Sequence, residues 1–158
     1  ITKESYVWIF TEHCESGDLE DFFIKSGLSD DEKVDIMVQV ATGLQHLHHQ
    51  KPPVAHRDIK PGNIVLARVD GKLCAKICDL GVAKFVEKYE GVTKSFGTYC
   101  GTEDYMAPEL FKRDKNKLSY NSKVDIFSAG LVFDALWGAQ PQTRLIPLQS
   151  KEHILLCY

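Results

Sequence analysis

A chain of 158 residues is long enough to bury a core of its own, and 44% hydrophobic with 26% charged residues is the balance of a globular domain. A formal net charge of −3 gives no electrostatic reason to expect nucleic acid or an anionic membrane as a partner. No apolar run approaches the roughly 20 residues that span a bilayer, and the most apolar stretch, "DIFSAGLVFDALWGA", carries Asp125 and Asp134.

The N-terminus, "ITKESYVWIF", begins without Met and lacks the organisation of a signal peptide, so the expectation is a fragment that starts inside a domain. "YVWIFTEHC" (6–14) is β-branched and aromatic and reads as a strand. "ESGDLEDFF" then turns at Gly17 and opens a short helix. Ser29 with Glu32 three residues on is a capping box that opens a long helix. Along that helix Val34, Met37, Val38, Ala41 and Gln45 share one face, which Ile36, Val40 and Leu47 widen. Pro52-Pro53 ends it, because proline lacks the N–H and restrains the residue before it. "HLHHQ" (46–50) admits a metal site, but imidazoles near the negative end of a helix dipole are the plainer and preferred reading.

"NIVLARV" (63–69), Asp70-Gly71 and "KLCAKICD" (72–79) form two short strands around a turn dipeptide, a β-hairpin. Residues 80–105 lack periodicity and read as a long loop, and loops of that length inside a domain are usually functional or disordered. "MAPELFK" suits a short helix, and the charged "RDKNKLSYNS" a solvated surface. "KVDIFSAGLVFDALWGA" (123–139) is apolar nearly all round and is expected to be a buried helix. The tail, with Pro141 and Pro147, stops on an apolar run, which again suggests truncation. The cysteines are Cys14, Cys74, Cys78, Cys100 and Cys157, an odd number with no C-x-x-C. Cys74 and Cys78 share one face of a strand; buried thiols in a reducing, intracellular setting are preferred to zinc.

The chemistry concentrates in "HRDIKPGN" (56–63). Pro61-Gly62 forbids a continuing helix, so the segment is extended or turning. In an extended chain Asp58 and Lys60 point the same way, and Asn63 can return toward them after the turn. A second carboxylate, Asp79, ends the hairpin just before Gly81. Phosphoryl transfer needs such a set: a base for the attacking hydroxyl, a cation for the moving phosphate, and hard oxygen ligands for Mg²⁺. Arg57 and Asp58 alone would read as an ordinary ion pair at a helix–loop junction. The run of Asp, Lys and Asn together with Asp79 favours catalysis.

With these residues the chain resembles the eukaryotic protein kinase family, serine/threonine type. "HRDIKPGN" resembles the catalytic loop, "DLG" (79–81) the Mg²⁺-binding DFG, "GTEDYMAPE" (101–109) the end of the activation segment, and "DIFSAG" (125–130) the start of the central buried helix. "FTEHCESGDL" (10–19) looks like the hinge between the lobes. The matches arrive in the family's order over about residues 6–138. The fold this implies is α+β: a mainly helical C-lobe with a catalytic-loop hairpin and a hinge strand, the N-lobe largely absent. Residues 1–14 would be the last N-lobe strand and hinge, and 15–158 an incomplete C-lobe.

The resemblance makes Asp58 the base that positions the substrate hydroxyl, Lys60 a contact to the γ-phosphate, and Asn63 and Asp79 the Mg²⁺ ligands. Thr102 would bond near Asp58 and Lys60 and help select the acceptor; with Lys60 it favours serine and threonine over tyrosine. Glu12 and Cys14 would offer backbone hydrogen bonds to adenine, Thr11 would be a small gatekeeper, Asp18 would reach the ribose, and Val65 would underlie the base. Thr98 matches the usual activating phosphorylation site, where phosphate would meet Arg57 and Lys84, with Thr93 and Ser95 as substitutes. Asp125 would bond the catalytic-loop backbone, and Glu109 would pair with an arginine beyond this chain.

The implied cofactors are ATP and Mg²⁺, the partners a protein substrate and an upstream activating kinase, and the location the cytoplasm, with the nucleus as alternative. Two departures stand out. Leu80 replaces the usual Phe and fills similar space, and no Gly-rich loop or strand lysine is present. The chain alone is therefore expected to be nearly inactive. A pseudokinase scaffold is the runner-up, opposed by the intact Asp58, Lys60, Asn63 and Asp79; an unrelated domain with chance matches is the third reading.

Overall fold

In chain order, the first turn is set by Gly17, whose φ of 80° is open to glycine and costly for other residues. It leads into helix α1 (Leu19–Lys25), and Asp18 caps it, its Oδ1 accepting from Asp21 N at 2.9 Å. The structure, a computed structural model, describes residues 8–25, 27–86, 88–89, 92–93, 100–111 and 121–138.

Helix α2 (Asp30–His48) begins on the expected capping box: Ser29 Oγ accepts from Glu32 N at 3.2 Å, and Glu32 Oε2 accepts from Ser29 N at 3.0 Å. Its buried row is Ile36, Val40 and Leu44, so the expected stripe is buried on its widening side, with Met37 and Leu47 packed beside it, and not along the face it was expected to centre on. Val34, Val38, Ala41 and Gln45 are exposed. The reason lies in what packs there. The β-hairpin lies against the Ile36 side, where a Cβ added to Gly43 would already sit 3.1 Å from Ile77 Cδ1.

That hairpin pairs β2 (Ile64–Val69) with β3 (Lys72–Ile77), antiparallel, from Ile64 opposite Ile77 to Val69 opposite Lys72. Asp70 and Gly71 turn it with φ of 50° and 80°. Alternation sends Ile64, Leu66, Leu73 and Ile77 toward α2 and leaves Val65, Cys74 and Lys76 on the opposite face. The outer edge of β3 is closed by a side chain. Gln39 Nε2 donates to Leu73 O at 3.1 Å, and Gln39 Oε1 accepts from Ala75 N at 2.8 Å. The amide thus substitutes for a third strand.

Helix α3 (Lys123–Leu136) runs under both halves of the core. Ala129, Val132 and Leu136 join Leu19, Ile36 and Ile64 in one cluster, while Val124 packs with Ala55, Val86, Met106 and Leu110 in a second. Each valine, leucine, isoleucine or methionine among them is worth about 1.5–3 kcal/mol when fully buried. The expectation of burial all round is corrected: Ile126 and Trp137 stand about half exposed, and α3 buries one side only.

Two further expectations change. Residues 8–14 form no strand, because a strand exists by pairing and no described segment pairs with them. The loop at 80–105 contains short paired segments. In it β4 (Lys84–Phe85) joins β1 (Val54–Ala55), and β5 (Lys88–Tyr89) joins β6 (Val92–Thr93). "MAPELF" ends in a 3₁₀ turn at Pro108–Phe111. Among the described residues no helix is long and apolar enough to cross a membrane.

Candidate active site

Asp125, in the first turn of α3, is the foundation of the site. Its carboxylate is fully buried and would be costly there without donors. It has three: Oδ1 accepts from Arg57 N at 2.7 Å, and Oδ2 accepts from His56 N at 2.9 Å and from His48 Nε2 at 2.8 Å. The backbone of 56–57 is therefore pinned from below. Arg57 adopts φ of 71°, a conformation that costs a non-glycine residue roughly 1–3 kcal/mol. The Asp125 bond offsets this, as does the guanidinium, whose Nε donates to Val82 O at 2.7 Å and whose Nη2 donates to the same oxygen.

His56 is also fully buried. Its Nε2 donates to Cys78 O at 2.9 Å, and its Nδ1 accepts from Asp58 N at 3.3 Å, a pattern that places the ring proton on Nε2. The carbonyl of Asn63 accepts from Cys78 N at 3.0 Å. One peptide strand at Cys78 thus grips both ends of the 56–63 loop and sets Asp79 beside it.

The loop closes as its residues suggest. Pro61–Asn63 is one 3₁₀ turn, and it returns Asn63 Nδ2 to Asp58 O at 2.8 Å and to Asp58 Oδ2 at 3.0 Å. Lys60 Nζ lies 3.3 Å from Asp58 Oδ2 and donates to Thr102 Oγ1 at 2.9 Å. Thr102 Oγ1 in turn donates to Asp58 Oδ1 at 2.9 Å. Gly101 makes this approach sterically feasible. Its φ is 108°, and a Cβ there would stand 2.7 Å from Arg57 O. Burial pushes the Asp58 carboxyl up. The hydrogen bonds from Thr102 and Lys60, the Lys60 charge and the Asn63 amide outweigh that and hold it below the usual aspartate range.

Asp79 is exposed and also takes a positive φ, 62°. Its Oδ1 accepts from Gly81 N at 3.0 Å, and a Cβ on Gly81 would meet that oxygen at 2.9 Å, so a larger residue there would push the Asp79 carboxylate aside. The Asn63 amide, with its nitrogen on Asp58, turns its oxygen the other way. An amide oxygen and a carboxylate are hard donors that fit Mg²⁺ held partly by phosphate oxygens.

A family model, "Protein kinase domain", matches residues 1–154. The chain belongs to the protein kinase family. Its helices and small antiparallel sheets are consistent with that fold. It is 38% identical over 141 residues to a Dictyostelium discoideum protein named "Probable serine/threonine-protein kinase", covering 87% of this chain and 13% of the relative. It is 38% identical over 135 residues to inhibitor of nuclear factor kappa-B kinase subunit alpha of Danio rerio, covering 82% and 16%. It is 37% identical over 142 residues to human serine/threonine-protein kinase tousled-like 1, covering 82% and 18%. The chain thus spans less than a fifth of each of these relatives.

In this kinase domain the segment before α1 meets the hairpin at several points. Ser16 N donates to Leu66 O at 3.1 Å, Leu66 N donates to Gly17 O at 2.8 Å, and Asp18 bridges Val65. Glu12 Oε1 accepts from Lys76 Nζ at 2.6 Å, and Glu15 Oε1 accepts from Arg68 N at 3.1 Å. Thr11 is exposed; Cys14, Asp18 and Val65 are half-buried. Burial pushes the Cys78 thiol up, with the Asp79 charge adding to it.

The structure brings Asp58, Lys60 and Thr102 into one ring of polar contacts, with Asn63 bonded to Asp58 from outside it and Asp79 adjoining through Cys78. Lys84 is exposed on β4. Thr98 and Ser95 lie outside the described residues, as does the side chain of Thr93. Sequence reasoning passed over two contributors. His48, for which the sequence offers a helix-end imidazole or, less favoured, a metal ligand, braces Asp125. Lys76 was read only as a strand residue; its place in the Cys74–Lys76–Cys78 alternation was the available signal.

Proposed function

We propose that the protein containing this chain transfers the γ-phosphate of ATP to serine or threonine hydroxyls of protein substrates. The observation that carries the reading is the ring of Asp58, Thr102 and Lys60 with Asn63 bonded to it. It joins an ionised carboxylate, a cation and an amide at one point, and phosphoryl transfer depends chiefly on positioning and charge.

In this reading Asp58 orients the acceptor hydroxyl and takes its proton as the new O–P bond forms and the bond to ADP breaks. Its lowered pKa keeps it ionised at neutral pH. Lys60 holds the transferred phosphate. Thr102, bonded to both, sets where the acceptor hydroxyl sits. Asn63 and Asp79 would hold Mg²⁺, which when bound neutralises charge on the phosphate oxygens. The backbone of Glu12 and Cys14 binds adenine over Val65, with Asp18 at the ribose, although Asp18 Oδ1 also caps α1.

In the same reading residues 1–14 belong to the N-lobe edge and hinge, with 8–14 forming no strand, and 15–158 to a partial C-lobe, so the chain alone is nearly inactive. Phosphorylation of Thr98 by an upstream kinase sets the loop against Arg57 and Lys84, in the cytoplasm or nucleus.

The test uses the whole protein, γ-labelled ATP and matched peptides bearing Ser, Thr or Tyr. Label is expected on Ser and Thr, and Asp58→Asn is expected to lower transfer by about 10²–10⁴-fold. Transfer to Tyr alone, or equal rates for wild type and Asp58→Asn, overturns the reading.

A further inference from the structure

The face of the hairpin turned away from α2 carries Val65, and Lys76 lies directly across from it on β3. Lys76 reaches out of this face to Glu12, with Nζ 2.6 Å from Oε1. Three residues on, Glu15 Oε1 accepts from Arg68 N of β2 at 3.1 Å. Among the described residues, backbone pairing between this segment and the hairpin starts only at Ser16. Residues 12–15 therefore meet the two strands through carboxylates, one on β3 and one on β2. Trp8, Ile9 and Phe10 just before them are more than 80% exposed.

We propose that Lys76 is a positioning residue for the nucleotide base, holding Glu12 so that the peptide groups of residues 12–14 stand at a fixed height above Val65. This rests on the ATP reading above. A base wedged between an extended segment and a strand face binds well only if the gap matches its thickness and the peptide groups point inward. An extended chain with no strand partner has freedom in both respects, and ordering it on binding weakens affinity. Lys76 removes part of that cost beforehand. The Glu12 hydrogen bond also pushes the Lys76 ammonium above its usual pKa, against partial desolvation, so the clamp stays charged at neutral pH. Because both side chains are partly solvated, the effect is modest and falls with salt.

The experiment uses the whole protein and three probes: Mg·ATP, adenosine, and magnesium tripolyphosphate, which lacks the base. Binding is followed by titration calorimetry, alongside steady-state kinetics. Lys76→Gln and Glu12→Gln are each expected to weaken ATP and adenosine binding by about threefold to fivefold. The KM for ATP should rise in step, with kcat at saturating ATP held and tripolyphosphate affinity unmoved. The loss should shrink in 0.5 M salt, and Lys76→Arg and the exchanged pair Glu12→Lys with Lys76→Glu should recover most of it. A mutant that merely misfolds would lose tripolyphosphate binding and kcat too, and the exchanged pair would not restore them. If the wild type binds ATP and transfers phosphate while Lys76→Gln binds adenosine equally well, the clamp is refuted and the kinase reading stands. A wild type that binds no ATP sinks both.

Discussion

The loop at 56–63 and the segment at 8–15 both border the proposed site, yet they are held by different forces. The loop is pinned through buried polar groups: Asp125 beneath it, His56 within it, and the Cys78 peptide across both ends. The segment before α1 is exposed and attached through partly solvated carboxylates. Buried hydrogen bonds with no water to compete are stiff, and losing one partner leaves the other stranded. Exposed charge pairs are weak and adjustable. In the proposed function, chemistry that needs tight alignment would sit on the stiff part, and the edge that would admit and release a nucleotide on the pliable one.

The sharpest way to break this contrast is Asp125→Ala. It strands His48 Nε2 and the N–H groups of His56 and Arg57 together, and it leaves the positive φ of Arg57 without its principal support. Destabilisation of about 3–5 kcal/mol is expected, because three buried donors lose their acceptor at about 1–3 kcal/mol each, read by urea denaturation. A loss under about 1 kcal/mol would mean the loop keeps its shape without the platform.

What the sequence alone revealed follows the same division. The capping box at Ser29 and Glu32, the turn at Asp70-Gly71 and the convergence of Lys60 and Asn63 on Asp58 are local patterns, settled within a few residues by backbone sterics. Of the long-range partners, the family resemblance supplied Thr102 beside Asp58 and Asp125 under the loop, and the others were hidden. His48 meets Asp125 across 77 positions and Glu12 meets Lys76 across 64, and no spacing rule connects them. The buried stripe of α2, expected to include Ile36 and Val40, was centred too far to one side for a related reason. Both sides of that helix carry valine, and only the arrival of the hairpin selects Ile36, Val40 and Leu44. Residues 8–14 have strand-forming side chains, but propensity makes no strand without a neighbour.

A smaller effect tests the electrostatics of the stiff part. Thr102→Val removes the strongest hydrogen bond that lowers the Asp58 pKa, so that pKa rises. The acidic limb of the pH–rate profile should then move to higher pH, since in the proposed mechanism Asp58 must be ionised to accept the proton. Stability carries the same sign. The depressed folded-state pKa gives stabilisation that is fully present above the unfolded-chain value of about 3.9 and is lost as pH falls through the folded-state value. Thr102→Val should reduce that acid-sensitive increment, and Asp58→Asn should remove it. An unmoved acidic limb in Thr102→Val would assign the limb to another group.

The smallest expected effect lies in the pliable part and separates its two attachments. Glu15 accepts from the Arg68 N–H, a dipole, whereas Glu12 faces the full charge of Lys76. The Glu15 carboxyl is lowered chiefly by backbone hydrogen bonds, first its own N–H and then that of Arg68. An amide oxygen can accept from the same donor, so Glu15→Gln should change ATP affinity by less than about twofold. Glu15→Ala, which removes the acceptor, should do somewhat more. Neither change should respond to salt as Lys76→Gln does, because screening acts on the interaction of two charges far more than on a short contact between a carboxylate and a backbone dipole. Calorimetry at low and high salt separates the two attachments. A strong, salt-dependent loss in Glu15→Gln would make the segment an electrostatic device throughout, and the distinction between its two carboxylates would fall.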